Sequence, residues 1–354
     1  MLAPGYPLAV DYVSASNLVE ARTAYPSLVC AVASGFHYLP AFCRLRAILF
    51  DHLKNTDGSA SLRSVSLSAI SSQSYFGKQI NSTWQSDVSS GGGVLSQLGA
   101  PLLDAAIGLF RQVSKSDNQG ETVTNVTVQG HTAQLLDDQS NSESSGSRLW
   151  PRTAEDACWV QVDIKRRMKK SDKSKSIFKQ SVISLDIVTT DTFDENDDDD
   201  PVLTVTALAD KSLKIKTDGR SLWISSRDDD NKLRHIEYPE SQKSEITESK
   251  QRSLLKESIS HFADLIAFEL LSYSTNNPSN GNSNLDGAVI FSNVLHGLLK
   301  SNRIVDFNIA LVTQKMIDTV RSSFQATPVA LEESNSLPTE VSPSANHISW
   351  SQFL

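Results

Sequence analysis

Apolar side chains recur along this chain with two periods. From Asp11 to about Leu53 they come in groups three or four apart, broken at Pro26 and Pro40, which predicts two or three short helices. Between Ser59 and Ile80 the pattern loosens. Leu62, Val65, Leu67 and Ile70 stand among serines, a spacing compatible with a strand or an irregular crossing segment. Ser89-Ser90-Gly91-Gly92-Gly93 reads as a flexible break. Leu102, Leu103, Ala106, Ile107, Phe110 and Val113 then share one face of a helix opened by Pro101.

Beyond Gly120 the period shortens to two. Val123, Val126 and Val128 alternate with polar residues, as do Cys158, Val160, Val162 and Ile164, then Ile183, Leu185 and Ile187. Further runs at Val202–Leu208, Leu213–Ile215, Leu222–Ile224 and Leu233–Tyr238, with a Gly-containing turn at Thr217-Asp218-Gly219-Arg220, predict an antiparallel meander. After Pro239 the helical period returns in Leu255, Ile259, Phe262, Ile266, Leu270 and Tyr273. Two more helices follow, at 288–300 and 303–324. The tail from Ala326 is polar and Pro-punctuated, the composition of a disordered segment.

The economical reading is an α+β chain: one discontinuous helical domain formed by both ends, with an antiparallel β-domain inserted between them. Its expected boundaries are a helical segment over 1–120, the β-insert over 121–240, a second helical segment over 241–325 packing with the first, and a tail over 326–354 that carries a terminal docking motif.

Composition narrows the function classes. The 354 residues carry 33 basic and 41 acidic side chains, a net charge of -8, which excludes a duplex-binding surface over the whole protein and leaves only local nucleic-acid contact. Three cysteines, Cys30, Cys43 and Cys158, without Cys-x-x-Cys spacing give neither a disulfide framework nor a zinc site. The most apolar stretch, Ser27 to Phe42, is too short and too interrupted for a membrane span. The first residues lack the form of a secretory signal, so an intracellular, cytoplasmic or nuclear, location is expected.

Candidate chemistry is sparse. Gly91-x-Gly93-x-x-Ser96 lacks the third glycine and the preceding buried strand of a dinucleotide turn. Seven histidines show no metal spacing; His261 with Asp264, three apart, is the best pairing. No Gly-x-Ser-x-Gly elbow is present. The expectation is therefore no catalytic, cofactor or metal residue. Lys165, Arg166, Arg167, Lys169 and Lys170 form the strongest charged feature, a candidate contact for RNA or an acidic partner. Ile348, Trp350, Phe353 and Leu354 on the polar tail form a candidate docking motif.

The helix, β-insert, helix layout is similar to that of coat subunits in some viruses with double-stranded RNA genomes. That resemblance implies a non-enzymatic subunit that self-associates, a structural or capsid protein located in the virion. A cellular adaptor or regulatory subunit is the alternative, with other copies of the chain or other proteins as partners. An enzyme without a recognisable motif is the third reading.

Overall fold

A computed structural model describes residues 2–3, 8–25, 30–32, 34–55, 61–72, 87–116, 122–133, 154–168, 177–190, 202–210, 213–226, 232–236, 254–276, 287–300, 305–322 and 346–348. In chain order the elements are β1 (Leu2–Ala3), α1 (Tyr12–Ala24), β2 (Ala31–Val32), α2 (Pro40–Asn55), β3 (Leu62–Ser72), α3 (Ala100–Ser116), β4 (Thr122–Ala133), β5 (Ala157–Met168) and β6 (Ile177–Thr190). They continue with β7 (Val202–Ala209), β8 (Leu213–Thr217), β9 (Leu222–Ser226), β10 (Arg234–His235), α4 (Leu254–Asn276), α5 (Gly287–Lys300), β11 (Val305–Asp306), α6 (Phe307–Ser322) and β12 (Asn346–Ile348).

Two sheets result. The large one runs β10-β9-β8-β7-β3-β6-β5-β4-β12, with every neighbouring pair antiparallel except β3 and β6. The small one is β1-β2-β11, in which β1 and β2 are parallel and joined through α1, a single β-α-β unit.

The expected fold class is overturned here. The large sheet is mixed and is no insert, because β3 comes from the first, nominally helical, part of the chain and lies at the middle of the sheet. There it pairs in parallel with β6 (Val65 opposite Ile183) and antiparallel with β7 (Val65 opposite Ala207). The physical reason lies in the partners of Leu62, Val65, Leu67 and Ala69. Their intervening residues are mostly serines, so the alternation that marks a half-buried strand is present but weakly hydrophobic.

One face of the large sheet is covered. Leu67 of β3, Val160 and Val162 of β5, Leu185 of β6 and Val205 of β7 pack with Phe42, Leu45 and Leu49 of α2, Leu102 and Phe110 of α3, and Met316 and Val320 of α6 in one buried cluster. The opposite face alternates out of that core and carries Ser66, Ser184, Thr206, Gln161 and Lys216. The helical stretch Val88–Phe110 is long and apolar enough to cross a membrane, and it lies buried within the core. Phe307, Ile309 and Leu311 of α6 close a second small core with Ala15 and Val32, which fastens the β-α-β unit to the body.

Candidate functional site

Two buried charged pairs stand where the helices meet the sheet. His37 lies on a single helical turn, Gly35–Tyr38, ahead of Pro40, which opens α2; its Nε2 is 2.7 Å from Oδ2 of Asp104 on α3. Asp104 is fully buried, and 11% of the His37 side chain reaches solvent. The imidazole fits because α3 has no side chain at Gly108, where an added Cβ would stand 2.5 Å from His37 Cε1. The other oxygen, Asp104 Oδ1, is buried without a hydrogen-bond partner. An unmatched buried carboxylate oxygen is costly and calls for a donor from a ligand or a water.

The second pair joins Glu155 to Arg321. Glu155 Oε1 accepts from Arg321 Nη2 at 2.7 Å and from the Leu95 backbone N–H at 3.3 Å, while the Glu155 carbonyl accepts from Val94 N–H at 3.1 Å. Arg321 also donates to the Gly92 carbonyl. The carboxylate thus sits at the start of the helical stretch leading into α3, where free N–H groups favour negative charge. Gly93 has φ +99°, and a Cβ on it would lie 2.4 Å from the Glu155 carboxyl carbon. The glycine segment is therefore a buried, pinned corner and not a flexible break.

Cys158 in the core of β5 is protonated: burial pushes its thiol well above the usual range, Glu155 and Asp186 add to the rise, and Arg321 opposes it. Among the described residues no group of three or more His, Cys, Asp or Glu side chains is placed to hold a metal ion.

The residues singled out from the sequence are dispersed. Strand alternation divides the basic run: Lys165 is exposed, whereas Arg166 is 1% exposed and donates to the Leu62 carbonyl at 3.1 Å and to Ser181 Oγ at 2.6 Å, over the Phe110 ring. The backbone of Arg167 pairs with Phe178 and Thr122, and Lys169 and Lys170 lie outside the described residues. Ile348 pairs opposite Val126 in β12, at the edge of the chain's own sheet, and Trp350, Phe353 and Leu354 lie outside the described residues. His261 and Asp264 fall on α4, Asp264 exposed.

The sequence reading missed both buried pairs because their members are 67 and 166 positions apart. One signal was available. Asp104 is a lone carboxylate inside Leu102-Leu103-Asp104-Ala105-Ala106-Ile107, and a charge in such a run needs a partner.

No family model matches the chain. No curated protein matches it either. Solved structures do share its fold. A complex of levoglucosan dehydrogenase with NADH and levoglucosan is 12% identical, with TM-score 0.54, covering 90% of this chain and 70% of that one. An oxidoreductase domain protein from Kribbella flavida is 14% identical, with TM-score 0.51, covering 91% and 71%. A super-repressor mutant of Gal80p from Saccharomyces cerevisiae is 11% identical, with TM-score 0.50, covering 90% and 69%.

These likenesses overturn the expected function. The viral coat resemblance, the structural and capsid reading, and the expectation of a non-enzymatic assembly subunit all rested on an inserted β-domain that the chain does not have. Its mixed sheet and packed helices are instead those of an oxidoreductase-type fold.

Proposed function

We propose that this chain is an oxidoreductase-type enzyme that binds a small polyhydroxylated, sugar-like substrate beside His37 and Asp104. The likeness over 90% of the chain to a dehydrogenase solved with NADH and levoglucosan supports this reading. The buried pair supplies the chemistry. A carboxylate on Nε2 holds the imidazole in one tautomer, so Nδ1 is the nitrogen left to accept a hydrogen bond from a substrate hydroxyl.

The described residues do not fit a dinucleotide. The Gly91–Gly93 corner, the one glycine cluster beside a helix start, is filled by the Glu155 carboxylate, which repels a pyrophosphate. What His37 and Asp104 do in this reading is bind and orient a substrate hydroxyl.

Calorimetric titration of the purified protein with levoglucosan, glucose and inositol, each with and without NADH, tests the assignment. Binding of at least one is expected, and Asp104→Asn should weaken it tenfold or more while the circular dichroism spectrum is kept. Absence of binding by all three under both conditions, or binding indifferent to Asp104→Asn, overturns it.

A further inference from the structure

We infer that this chain binds no nicotinamide dinucleotide, so that any hydroxyl ligand it takes is bound without one. The place where a β-α-β unit receives a pyrophosphate is filled instead by the chain's own carboxylates, Asp11 and Asp318. The fold likeness and the geometry of α1 carry this, whatever His37 and Asp104 do.

A dinucleotide is held by the N–H groups at a helix start, reached through a tight glycine turn that lets the backbone approach the phosphates, and by an acidic side chain further on that takes the ribose. β1, α1 and β2 form the one simple β-α-β unit among the described residues. Its helix start is already used. Asp11 is the N-cap: its Oδ1 accepts from the Ser14 N–H at 2.7 Å and its carbonyl from the Ala15 N–H at 3.0 Å. Asp318 Oδ2, brought from α6, accepts from the Tyr12 N–H. The Ser14 N–H and hydroxyl, and after them the Val13 N–H, hold the Asp11 carboxyl below its ordinary range, so it is ionised at neutral pH. Every N–H from Tyr12 to Ala15 thus faces an oxygen of Asp11 or Asp318, and a pyrophosphate here would meet negative charge where it needs donors.

The cations nearest this helix start are engaged. Lys315 Nζ lies over the Tyr12 ring at 5.4 Å, and Arg321 binds Glu155 and the Gly92 carbonyl. The sequence around the unit differs in the same sense. Residues 4–11, between β1 and α1, hold one glycine, Gly5, between Pro4 and Pro7, where a dinucleotide turn reads Gly-x-Gly-x-x-Gly. From Ala31 to Phe50, through β2 and most of α2, there is no Asp or Glu to hold an adenosine ribose. Two further helix starts are closed as well. Glu155 fills the corner ahead of α3, and α2 opens with Pro40, which has no N–H, behind a turn packed with buried Phe36, Tyr38 and Leu39. The likeness to a dehydrogenase solved with NADH extends to the fold and stops short of this chemistry.

Titration of the purified full chain, shown to unfold cooperatively, with NADH and with NADPH tests the assignment. Binding is followed by nicotinamide emission on excitation of the protein's tryptophans and, independently, by the thermal unfolding midpoint. No saturable emission and no rise in midpoint are expected up to about 1 mM of either nucleotide. Any sugar that binds in the calorimetric titration should do so with the same constant, within about twofold, whether NADH is present or not. Saturable binding of either nucleotide within that range, or a sugar constant that NADH changes by more than about twofold, overturns the inference. Should no sugar bind, the reading of His37 and Asp104 fails by itself, and the nucleotide titration still decides this one.

Discussion

The two buried pairs beneath the sheet are alike in chemistry and differ in how their carboxylates are satisfied. Glu155 Oε1 takes two donors, one from Arg321 and one from a backbone N–H, and Arg321 carries a second bond to Gly92 while its Nε is buried without a partner. Asp104 takes one donor, His37, and its other oxygen is buried with none. Removing one partner of a desolvated pair costs more than the pair contributes, so a clamp such as Glu155–Arg321 fixes the corner it holds. A pair with an unmatched oxygen has coordinating capacity to spare. The difference separates a fastening from a candidate binding site without reference to any relative.

The largest expected effect breaks the clamp through the backbone. Gly93→Ala adds a Cβ at φ +99° on top of the Glu155 carboxylate, combining left-handed strain with an overlap that the buried glutamate cannot escape. A loss of about 3 kcal/mol or more is expected, read from urea unfolding. Arg321→Met comes next. It leaves Glu155 buried with only N–H partners, for a cost of about 3 kcal/mol, and a Glu155→Gln change in the same background should recover part of it.

Asp104→Asn should behave otherwise. An amide keeps an acceptor for His37, and no second bond to Oδ1 is lost, so stability should shift by about 1 kcal/mol or less while ligand binding falls. A loss as large as that of Arg321→Met would make the pair a second fastening and remove the contrast. Gly108→Ala sharpens the same point. Better helix propensity offers about 1 kcal/mol, but the new methyl displaces the His37 ring, so binding should suffer with little net change in stability.

The smallest effect concerns Asp318 on α6, which accepts from the Tyr12 N–H at the start of α1 and from Gln314 Nε2. Burial raises its pKa above the ordinary 3.8, against the opposing pull of the Tyr12 N–H and of Arg321. The folded state therefore binds this proton more tightly than the unfolded chain. Its contribution is complete below the unfolded value and is lost as pH rises through the folded one. Wild type should gain on Asp318→Asn as pH falls toward 4, which thermal unfolding between pH 4 and 7 will show.

How much of this was legible in the sequence depended on how local the signal was. Strict alternation at Cys158–Ile164 and at Ile183–Ile187 marks β5 and β6, and Thr217-Asp218-Gly219 marks the turn after β8, because side-chain period and turn geometry are properties of neighbours. β3 was harder. Ser64, Ser66 and Ser68 on the open face gave its strand little hydrophobic contrast, and nothing in residues 62–72 names β6 or β7 as partners. The parallel pairing that makes the sheet mixed was illegible for that reason. The buried pairs were illegible too, since each depends on two segments meeting only in the finished fold. The basic run misled in a different way: alternation sends Arg166 into the core beside exposed Lys165, so neighbouring like charges lie on two sides of one sheet.

The place of β3 at the middle of the sheet also sets an order of events during synthesis. Its two neighbours are made long after it: Val65 must wait for Ile183 on one side and for Ala207 on the other. At ~5–20 residues per second the ribosome takes on the order of 10 s to deliver them. Through that interval an 11-residue strand has both edges unpaired. These two pairings are non-local, and loop closure must be met before either rewards it, so β3 joins the sheet late. The serines that gave β3 a weak hydrophobic signature also make its waiting face less apolar through that interval.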